Sequence, residues 1–360
     1  MRVATLAGAV LAAAAIPAAP VLAAPTHRVP ASIPADCSAD VTARLMSWIG
    51  SVPDRSILAF KRRGCYRIDG TLEIRDRRRL DFKGNGATFK ATTLGAAGRS
   101  QWRLVRGAHL TLRGMRVRGA NAAAGSFNAA LQHQHAFDLA GAADVELRRV
   151  RASAVYGDCF YVGRAHDRPR RWSRRVQIRN SSCNGNGRMG VAVVAGRRIV
   201  VSRTRFRRIA RTVLDVEPNG AGFGARNIRF LDNWASGPFP GGFFSAIGDG
   251  PVDDVTIARN TVTGAGMYMA VLAPPGQRRS NIRIIGNASD TAYHAPGSAA
   301  LDFERVDGLT VARNAIPLGA PNMALAAVSQ SCAVKVFGNV IARGSVEARI
   351  APFACSRATP

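Results

Sequence analysis

The sequence predicts an all-β solenoid, in which short parallel strands wind into about ten stacked coils. One observation is a recurring pattern of two apolar residues, separated by one position, with asparagine three positions after the second. Another is a second pair of alternating apolar residues that recurs out of phase with the first. The chain also contains 36 glycines and only 7% aromatic residues, which favours many turns over long helices.

The asparagine pattern occurs in six coils. Its members are Leu80-Phe82-Asn85, Ile228-Phe230-Asn233, Val255-Ile257-Asn260, Ile282-Ile284-Asn287, Leu309-Val311-Asn314 and Val334-Val336-Asn339. The last five asparagines are 27, 27, 27 and 25 residues apart. Alternation with period two indicates strands with one buried face, and a repeat of this length indicates stacked coils. We therefore expect the asparagines to stack at one inward turn and to hydrogen-bond to adjacent coils.

The second pattern defines another strand in each coil. Its members are Phe137-Leu139, Phe160-Val162, Val191-Val193, Leu214-Val216, Ser245-Ile247, Ala270-Leu272, Leu301-Phe303 and Leu325-Ala327. The residue between each pair should point outward, and strands of adjacent coils should lie about 4.8 Å apart. Outward side chains that are distant in sequence are thereby predicted to form one column.

The N-terminus has the features of a secretory signal peptide over residues 1–23. Arg2 gives a positive start, residues 3–19 are apolar, and Val21-Leu22-Ala23 fits a small-residue cleavage site. No other apolar segment approaches the roughly 20 residues that a membrane-spanning helix needs. We expect a secreted protein, extracellular or periplasmic, without a membrane span and monomeric. Its organisation is predicted as a linker at 24–35, the solenoid with its N-terminal cap at 36–345, and a C-terminal cap or tail at 346–360.

Export permits disulfide bonds. The six cysteines contain no C-x-x-C pair, which argues against a zinc site. Fifteen pairings exist for six cysteines. We expect the sequential one, Cys37–Cys65, Cys159–Cys183 and Cys332–Cys355.

The charge is strongly basic. Fifty Lys and Arg face 23 Asp and Glu, so the net charge is +27, and only four of the basic residues are lysine. Such a charge attracts polyanions. For an exported protein it favours an acidic polysaccharide as partner over nucleic acid.

These features resemble the right-handed parallel β-helix proteins of the pectin-lyase-like superfamily over roughly residues 36–345. The segment Ser38–Val52, with Val41, Leu45 and Trp48 on one face, resembles the helix that caps the first coil of such proteins. The resemblance implies a right-handed parallel β-helix and a saccharide-binding site on its outer face.

The candidate site is a strip of charged residues from successive coils. Asp158 lies in Gly157-Asp158-Cys159, Arg188 in Asn186-Gly187-Arg188-Met189-Gly190, and Asp215 and Glu217 in Leu214-Asp215-Val216-Glu217-Pro218-Asn219. These three segments resemble a trio found in many members of the superfamily. Asp158 and Asp215 should lie two coils, about 10 Å, apart, with Arg188 on the coil between them.

Two reactions fit these groups. In inverting hydrolysis Asp158 and Asp215 are the acid and the base, and Glu217 or Arg188 tunes a pKa. In β-elimination or epimerisation of a uronate, Arg188 neutralises the sugar carboxylate while His135 or Tyr161 abstracts a proton.

Further residues are predicted to bind substrate or metal. The substrate-binding candidates are His133, Arg171, Trp172 and Asn219. No cofactor is required, although Asp215 with Glu217 could hold Ca²⁺. A non-catalytic solenoid, binding a glycan or serving as a surface structure, is the alternative function. Leu301-Asp302-Phe303-Glu304 repeats the pattern at Asp215, so the repeat alone can produce such an acidic pair.

Overall fold

The computed structural model describes residues 23–294, 299–320, 322–341 and 344–355. The predicted signal peptide, except Ala23, lies outside these ranges. Within them the chain forms a β-solenoid of about eleven turns with a single short α-helix, α1 (Thr42–Ser51), and a 3₁₀ turn at Ala129–Leu131. The strands are numbered β1–β33 along the chain and form three parallel sheets. Along the chain, each coil contributes a strand to sheet 1, then one to sheet 2 and then one to sheet 3.

Sheet 1 contains β5 (Leu72–Arg75), β8 (Trp102–Val105), β11 (Phe137–Ala140), β14 (Phe160–Ala165), β17 (Val191–Val193), β20 (Leu214–Val216), β23 (Phe244–Ile247), β26 (Met269–Leu272), β29 (Leu301–Glu304), β31 (Ala324–Ser329) and β33 (Val346–Ile350). Sheet 2 contains β1 (Thr26–Arg28), β3 (Ile57–Ala59), β6 (Arg78–Lys83), β9 (Ala108–Arg113), β12 (Ala143–Arg148), β15 (Arg168–Arg179), β18 (Ala195–Ser202), β21 (Gly224–Leu231), β24 (Val252–Ala258), β27 (Arg279–Ile285), β30 (Val306–Ala312) and β32 (Lys335–Phe337). Sheet 3 contains β2 (Asp36–Asp40), β4 (Cys65–Arg67), β7 (Thr88–Lys90), β10 (Arg116–Arg118), β13 (Arg151–Ser153), β16 (Ser182–Asn184), β19 (Arg205–Arg207), β22 (Trp234–Ser236), β25 (Thr261–Thr263) and β28 (Ala288–Ser289).

The core is the space enclosed by the three sheets, and the alternating apolar residues fill it. In sheet 2, Ile228 is the register partner of Val255, which in turn pairs with Ile282, and all three are fully buried. In sheet 1, the rings of Phe137 and Phe160 stack at 5.7 Å between centroids. Both repeated patterns therefore correspond to real strands, as predicted.

In three coils the predicted second apolar pair is shifted by one residue from the pair that points inward. The pairs Ser245-Ile247, Ala270-Leu272 and Leu325-Ala327 do not point inward as predicted. In β23, Phe244 and Ala246 are fully buried, whereas Ile247 is 45% exposed. Ser245 consequently occupies the outward column, where Ala246 was expected.

The asparagines form the predicted ladder at the turn between sheets 2 and 3. The side-chain oxygen of Asn260 accepts the backbone N–H and the side-chain amide of Asn233, at 2.9 and 3.0 Å. The Asn260 amide donates to the carbonyl of Phe230 and to Asn287, both at 2.9 Å. The ladder continues through Asn314 and Asn339 and ends on the Glu347 carboxylate. It thus satisfies backbone groups that each turn would leave unpaired.

Replacing Asn260 by alanine is expected to destabilise the fold by about 3 kcal/mol. The change leaves the N–H of Asn233 and the carbonyl of Phe230 buried without partners, and each such loss costs about 1–3 kcal/mol. Chemical denaturation of the two proteins measures the difference. Asn184→Ala is the control, because Asn184 lies on the outer face of β16 and accepts only from Arg208, at 3.3–3.4 Å. Equal losses in the two variants would contradict a special role for the ladder.

As predicted, a helix caps the first coil, and the segments that flank the solenoid add strands to its sheets. Helix α1 packs on β5, the first strand of sheet 1, through its buried side chains. Residues 26–28 pair with β3, so the segment predicted as a linker at 24–35 contains a strand of sheet 2. Residues 346–350, predicted as a cap or tail, continue sheet 1 by pairing with β31.

All three sequential disulfides are present. Cys37 bonds to Cys65 in the first coils, Cys159 to Cys183 in the middle, and Cys332 to Cys355 at the end. Across the described ranges, no helix combines the length and apolar character that would let it traverse a bilayer.

Candidate active site

The predicted strip lies on the outer face of sheet 1. Direct register partners place one outward residue from each successive coil in a column: Arg103, Asp138, Tyr161, Ala192, Asp215 and Ser245. The turns that lead from sheet 3 into sheet 1 bring His135, Asp158 and Arg188 to the edge of this column. The strip is therefore built from six consecutive coils.

Arg188 is the centre of the strip. Its Nη1 lies 3.0 Å from Oδ2 of Asp158, and its Nη2 donates to Oε2 of Glu217 at 2.8 Å. The two carboxylates raise the pKa of the Arg188 guanidinium although burial opposes the rise. A single arginine thus links carboxylates from the preceding and the following coil.

Asp158 is completely buried. Its Oδ1 accepts the backbone N–H of Met189 at 2.9 Å, and Arg188 and His135 approach Oδ2 at 3.0 and 3.2 Å. Burial alone would raise the pKa of Asp158, but the charges of Arg188 and His135 and the hydrogen bonds lower it. Asp158 is therefore an ionised internal anchor that a substrate cannot reach.

This position contradicts the hypothesis that Asp158 is an acid or base acting directly on substrate. The physical reason is the close approach of the neighbouring turn. A Cβ at position 157 would lie 2.6 Å from the carbonyl oxygen of Gln132 and 2.8 Å from Nδ1 of His135, so only glycine fits there. Gly157 lets the turn at His135 close over Asp158.

His135 is buried beneath Tyr161, whose ring stacks on it at 4.6 Å between centroids. The Nδ1 atom of His135 lies 3.1 Å from the backbone N–H of Asp158 and 3.2 Å from Oδ2 of the same residue. Neutral Nδ1 accepts from that N–H, whereas protonated Nδ1 donates to the carboxylate. Burial, with the nearby charge of Asp138, raises the pKa of the Tyr161 hydroxyl.

Asp215 is the carboxyl group of the strip whose pKa is raised by its surroundings. It is 4% exposed, and the hydroxyl of Ser245 donates to its Oδ1. Burial raises its pKa to about 7, and the negative charge of Glu217 adds to the rise against the lowering by Ser245 and Arg188. Glu217, two positions further along the chain, is partly exposed.

A second group on the same face was not predicted as part of the site. Oδ2 of Asp138 accepts from Nε of Arg103 at 2.7 Å and from Ser100 at 3.2 Å. Its Oδ1 is buried with no hydrogen-bond partner among the described residues. Arg103 lies one coil before Asp138 in the same column, and this alignment is the signal that could have found the pair.

Comparison of the sequence with protein-family models and with curated protein sequences gives no match. Comparison with solved structures gives similar folds at low identity. Endo-xylogalacturonan hydrolase from Aspergillus tubingensis matches with TM-score 0.66 and 11% identity, over 90% of this chain and 95% of that one. PfbA, a surface adhesin of Streptococcus pneumoniae, matches with TM-score 0.61 and 12% identity, over 85% and 87%. The A-module of the Azotobacter vinelandii mannuronan C-5 epimerase AlgE4 matches with TM-score 0.55 and 12% identity, over 89% and 95%.

The likeness to these structures shows that the chain shares the parallel β-helix fold with them. Among these similar structures are a hydrolase, an adhesin and an epimerase, so the β-helix by itself does not select a function.

Two of the substrate-binding candidates lie at the opposite edge of sheet 1 of the β-helix. Arg171 and Trp172 belong to a hairpin between β14 and β15, on the turn that leads from sheet 1 to sheet 2. The Arg171 guanidinium donates to the carbonyls of Gly141 and Arg106, at 3.0 and 2.6 Å. Trp172 Nε1 donates to the carbonyl of Gly222 at 2.7 Å. Both side chains therefore hold loops in place through backbone carbonyls. Within the part of the chain that the structure describes, neither forms a hydrogen bond to Asp158, Arg188, Asp215 or Glu217.

His133 and Asn219 are exposed on opposite sides of the strip. The His133 ring lies 6.3 Å from that of His135, and Asn219 follows Glu217 and Pro218 in the loop after β20. Over the described ranges, no cluster of three or more His, Cys, Asp or Glu residues has the arrangement of a metal site.

The repeated acidic pair Asp302 and Glu304 has different surroundings. Tyr268 donates to Asp302 at 3.0 Å, and burial raises the pKa of Asp302. Glu304 pairs with Arg305, its own neighbour in sequence, at 2.7 Å. A cavity of about 610 Å³ lies beside this pair. The linkage of carboxylates from different coils through one arginine is what distinguishes the strip at Asp215.

Proposed function

We propose that this protein is an exported hydrolase of an acidic, uronate-containing polysaccharide, with Asp215 as the general acid. The observation that carries the proposal is a carboxyl group, 4% exposed and hydrogen-bonded to Ser245 on the outer face of sheet 1, whose burial raises its pKa to about 7. A carboxylic acid that keeps its proton near neutral pH can protonate the oxygen of a glycosidic bond. Similar folds in an endo-xylogalacturonan hydrolase and in an exopolygalacturonase of Thermotoga maritima support the substrate class.

Glu217 is the proposed base. It is partly exposed, and Arg188 holds one of its oxygens. Glu217 lies one residue past β20 and its N–H still bonds to the adjacent coil, so by the rise of an extended chain its Cα is about 6.6 Å from that of Asp215. The two side chains set the separation of the carboxyl groups. Inverting hydrolysis places its two carboxyl groups about 6.5–9.5 Å apart, so that a water molecule fits between the base and the sugar. In this assignment Glu217 replaces Asp158 as the partner of Asp215.

Asp158 and His135 then act as positioning residues. Asp158 fixes Arg188, and Arg188 orients Glu217. His135 supports Tyr161 from below and contacts Asp158. Because Asp158 and His135 are buried, the ion-paired series Asp158–Arg188–Glu217 from three coils can hold the Glu217 carboxylate in one position.

The alternative of β-elimination or epimerisation has less support. It needs Arg188 to neutralise the sugar carboxylate, but both ends of this guanidinium already bind carboxylates of the protein. It also needs a base at His135 or Tyr161. Nδ1 of the first is engaged by Asp158 beneath the Tyr161 ring, and the raised pKa of the second disfavours the phenolate that would accept a proton.

Product analysis tests the proposal. Purified protein is incubated with polygalacturonate, xylogalacturonan and alginate, and reducing ends and absorbance of unsaturated products are measured. We expect new reducing ends without the near-ultraviolet absorbance that an elimination product gives. Unsaturated products would contradict the hydrolase assignment, and a change in uronate configuration without cleavage would indicate an epimerase. Chelator treatment in the same assay tests the separate prediction of Ca²⁺ at Asp215 and Glu217.

A non-catalytic glycan-binding role is the second candidate. The similarity to the adhesin PfbA favours it, because that protein has the same fold at a similar TM-score. Binding to one of these glycans without formation of any product would select this role.

A further inference from the structure

A second charged surface lies on sheet 3, on a different face of the solenoid from Asp215. From β7 to β25 each of its strands is a triplet whose central residue points into the core. The outward positions of these strands contain Lys90, Arg116, Arg118, Arg151, Arg205 and Arg207. No strand from β7 to β25 in this sheet contains Asp or Glu. We call the outer face of β10, β13, β16, β19 and β22 the sheet 3 surface.

Several arginines on the outer face of sheet 2 pair with acidic residues of the same sheet, which the sheet 3 surface lacks. On sheet 2, Arg113 pairs with Asp81 at 2.6 Å and Arg179 with Glu146 at 2.8 Å. Arg229 likewise pairs with Asp254 at 2.9 Å. By contrast, the five arginines of the sheet 3 surface are exposed and form no ion pair with any residue that the structure describes.

The strand register places some of these charges directly beside each other. Arg116 is the register partner of Arg151 on the adjacent strand. Neighbouring strands are about 4.8 Å apart, and like charges at directly opposed positions destabilise a sheet. An anion between the two guanidinium groups would remove this repulsion. Arg174 and Arg197 on sheet 2 are likewise exposed register partners, so charge alone does not distinguish the two surfaces.

The remaining side chains of the surface suit a sugar. The column that begins with Arg116 and Arg151 continues through Ser182 and Arg205 to Trp234. Trp234 is half-buried, and the guanidinium of Arg207 lies 5.1 Å from the centre of its ring. Arginine binds carboxylates in a two-pronged geometry, the hydroxyl of serine bonds to polar groups, and tryptophan offers a flat apolar face with a polar edge.

We propose that the sheet 3 surface docks an acidic polysaccharide chain, separately from the site at Asp215. From Arg116 to Trp234 the column crosses four coil spacings, about 19 Å, which suits an extended polymer better than a single small anion. The choice of glycan class rests on the proposed function, but the docking requires no catalysis. A polymer held on this face would keep the protein on its substrate between encounters at sheet 1.

A triple substitution with a matched control tests the proposal. Arg116→Gln, Arg151→Gln and Arg205→Gln remove three charges from one column of sheet 3. Arg78→Gln, Arg174→Gln and Arg197→Gln remove three exposed charges from one column of sheet 2. Both sets are made in an Asp215→Asn background, and binding to polygalacturonate and alginate is measured by affinity electrophoresis at 20 and 150 mM salt. We expect the sheet 3 triple to bind either polymer at least tenfold more weakly than its parent, and the sheet 2 triple to change less than twofold.

A single uncharged change tests the glycan class. Trp234→Ala should weaken binding to the polyuronates several-fold, since it removes the apolar face without altering charge. Equal losses in the two triple variants would show that net charge alone drives binding and would overturn the proposal. Unchanged binding of the sheet 3 triple would overturn it as well, as would parent binding to duplex DNA or anionic vesicles as tight as to the polyuronates. None of these results depends on turnover, so a failure of the proposed function would be seen separately in the product assay.

Discussion

Replacing Asp215 by asparagine is expected to lower turnover of an acidic polysaccharide by about 1,000-fold, within the range that general acid catalysis contributes. Asparagine retains the size of the side chain and can still accept from Ser245, but it has no acidic proton to donate. The fold should tolerate the change, because Asp215 is mostly protonated below its pKa of about 7 and the amide is likewise neutral. Initial rates at saturating polymer measure the loss, and thermal unfolding verifies that the variant is folded.

Asp302→Asn is the matched control for this substitution. Asp302 lies in the same column three coils later and is also followed two positions on by glutamate, but no arginine joins that glutamate to another coil. It should retain the wild-type rate. The wild-type kcat/KM should also fall as the pH rises through about 7, since ionisation of Asp215 removes the acid. A full rate in Asp215→Asn, or equal losses in both variants, would remove Asp215 from the mechanism.

Replacing Asp158 by asparagine is expected to destabilise the protein by about 3 kcal/mol and to lower turnover in parallel. The change leaves Arg188 largely buried with only Glu217 to balance its charge, and removing one partner of a buried ion pair costs about 3–5 kcal/mol. Because Arg188 retains one partner, the lower end of this range applies. Denaturant unfolding measures the loss of stability.

Asp232→Asn provides the comparison. Asp232 pairs with Arg259 at 2.7 Å, but both side chains are largely exposed, and exposed pairs contribute about 0–1 kcal/mol. The turnover of Asp158→Asn should be measured well below its unfolding transition. An Asp158→Asn variant as stable as Asp232→Asn would show that the linkage through Arg188 does not contribute to the stability of the fold.

The fold could be predicted because its main determinants are local and repeated. Each coil carries its own apolar pair, and Asn233, Asn260 and Asn287 recur at one spacing, so stacking follows from the pattern alone. The error at Ser245 arose where the pattern was least distinct. Phe244-x-Ala246 and Ser245-x-Ile247 both look like an apolar pair in sequence, and only packing in the core selects the first.

The stacking of the candidate residues could be predicted from the repeat, but the burial of each side chain could not. Stacking brings Asp158, Arg188 and Asp215 together, as the coil spacing required. That Asp158 is sealed beneath the turn at His135 depends on the path of the preceding loop, which no repeat encodes. Likewise Arg171 and Trp172 lie in an inserted hairpin, where the direction of a side chain depends on contacts outside the periodic framework.

The placement of the disulfides has a consequence for how this molecule would unfold. In a solenoid an inner coil has a neighbour on each side, whereas the outermost coils have one, so peeling should begin at the termini. Cys37–Cys65 and Cys332–Cys355 tie the first and last coils, where such peeling would start. The two terminal disulfides should therefore slow unfolding from either end, and Cys159–Cys183 adds a third cross-link between inner coils.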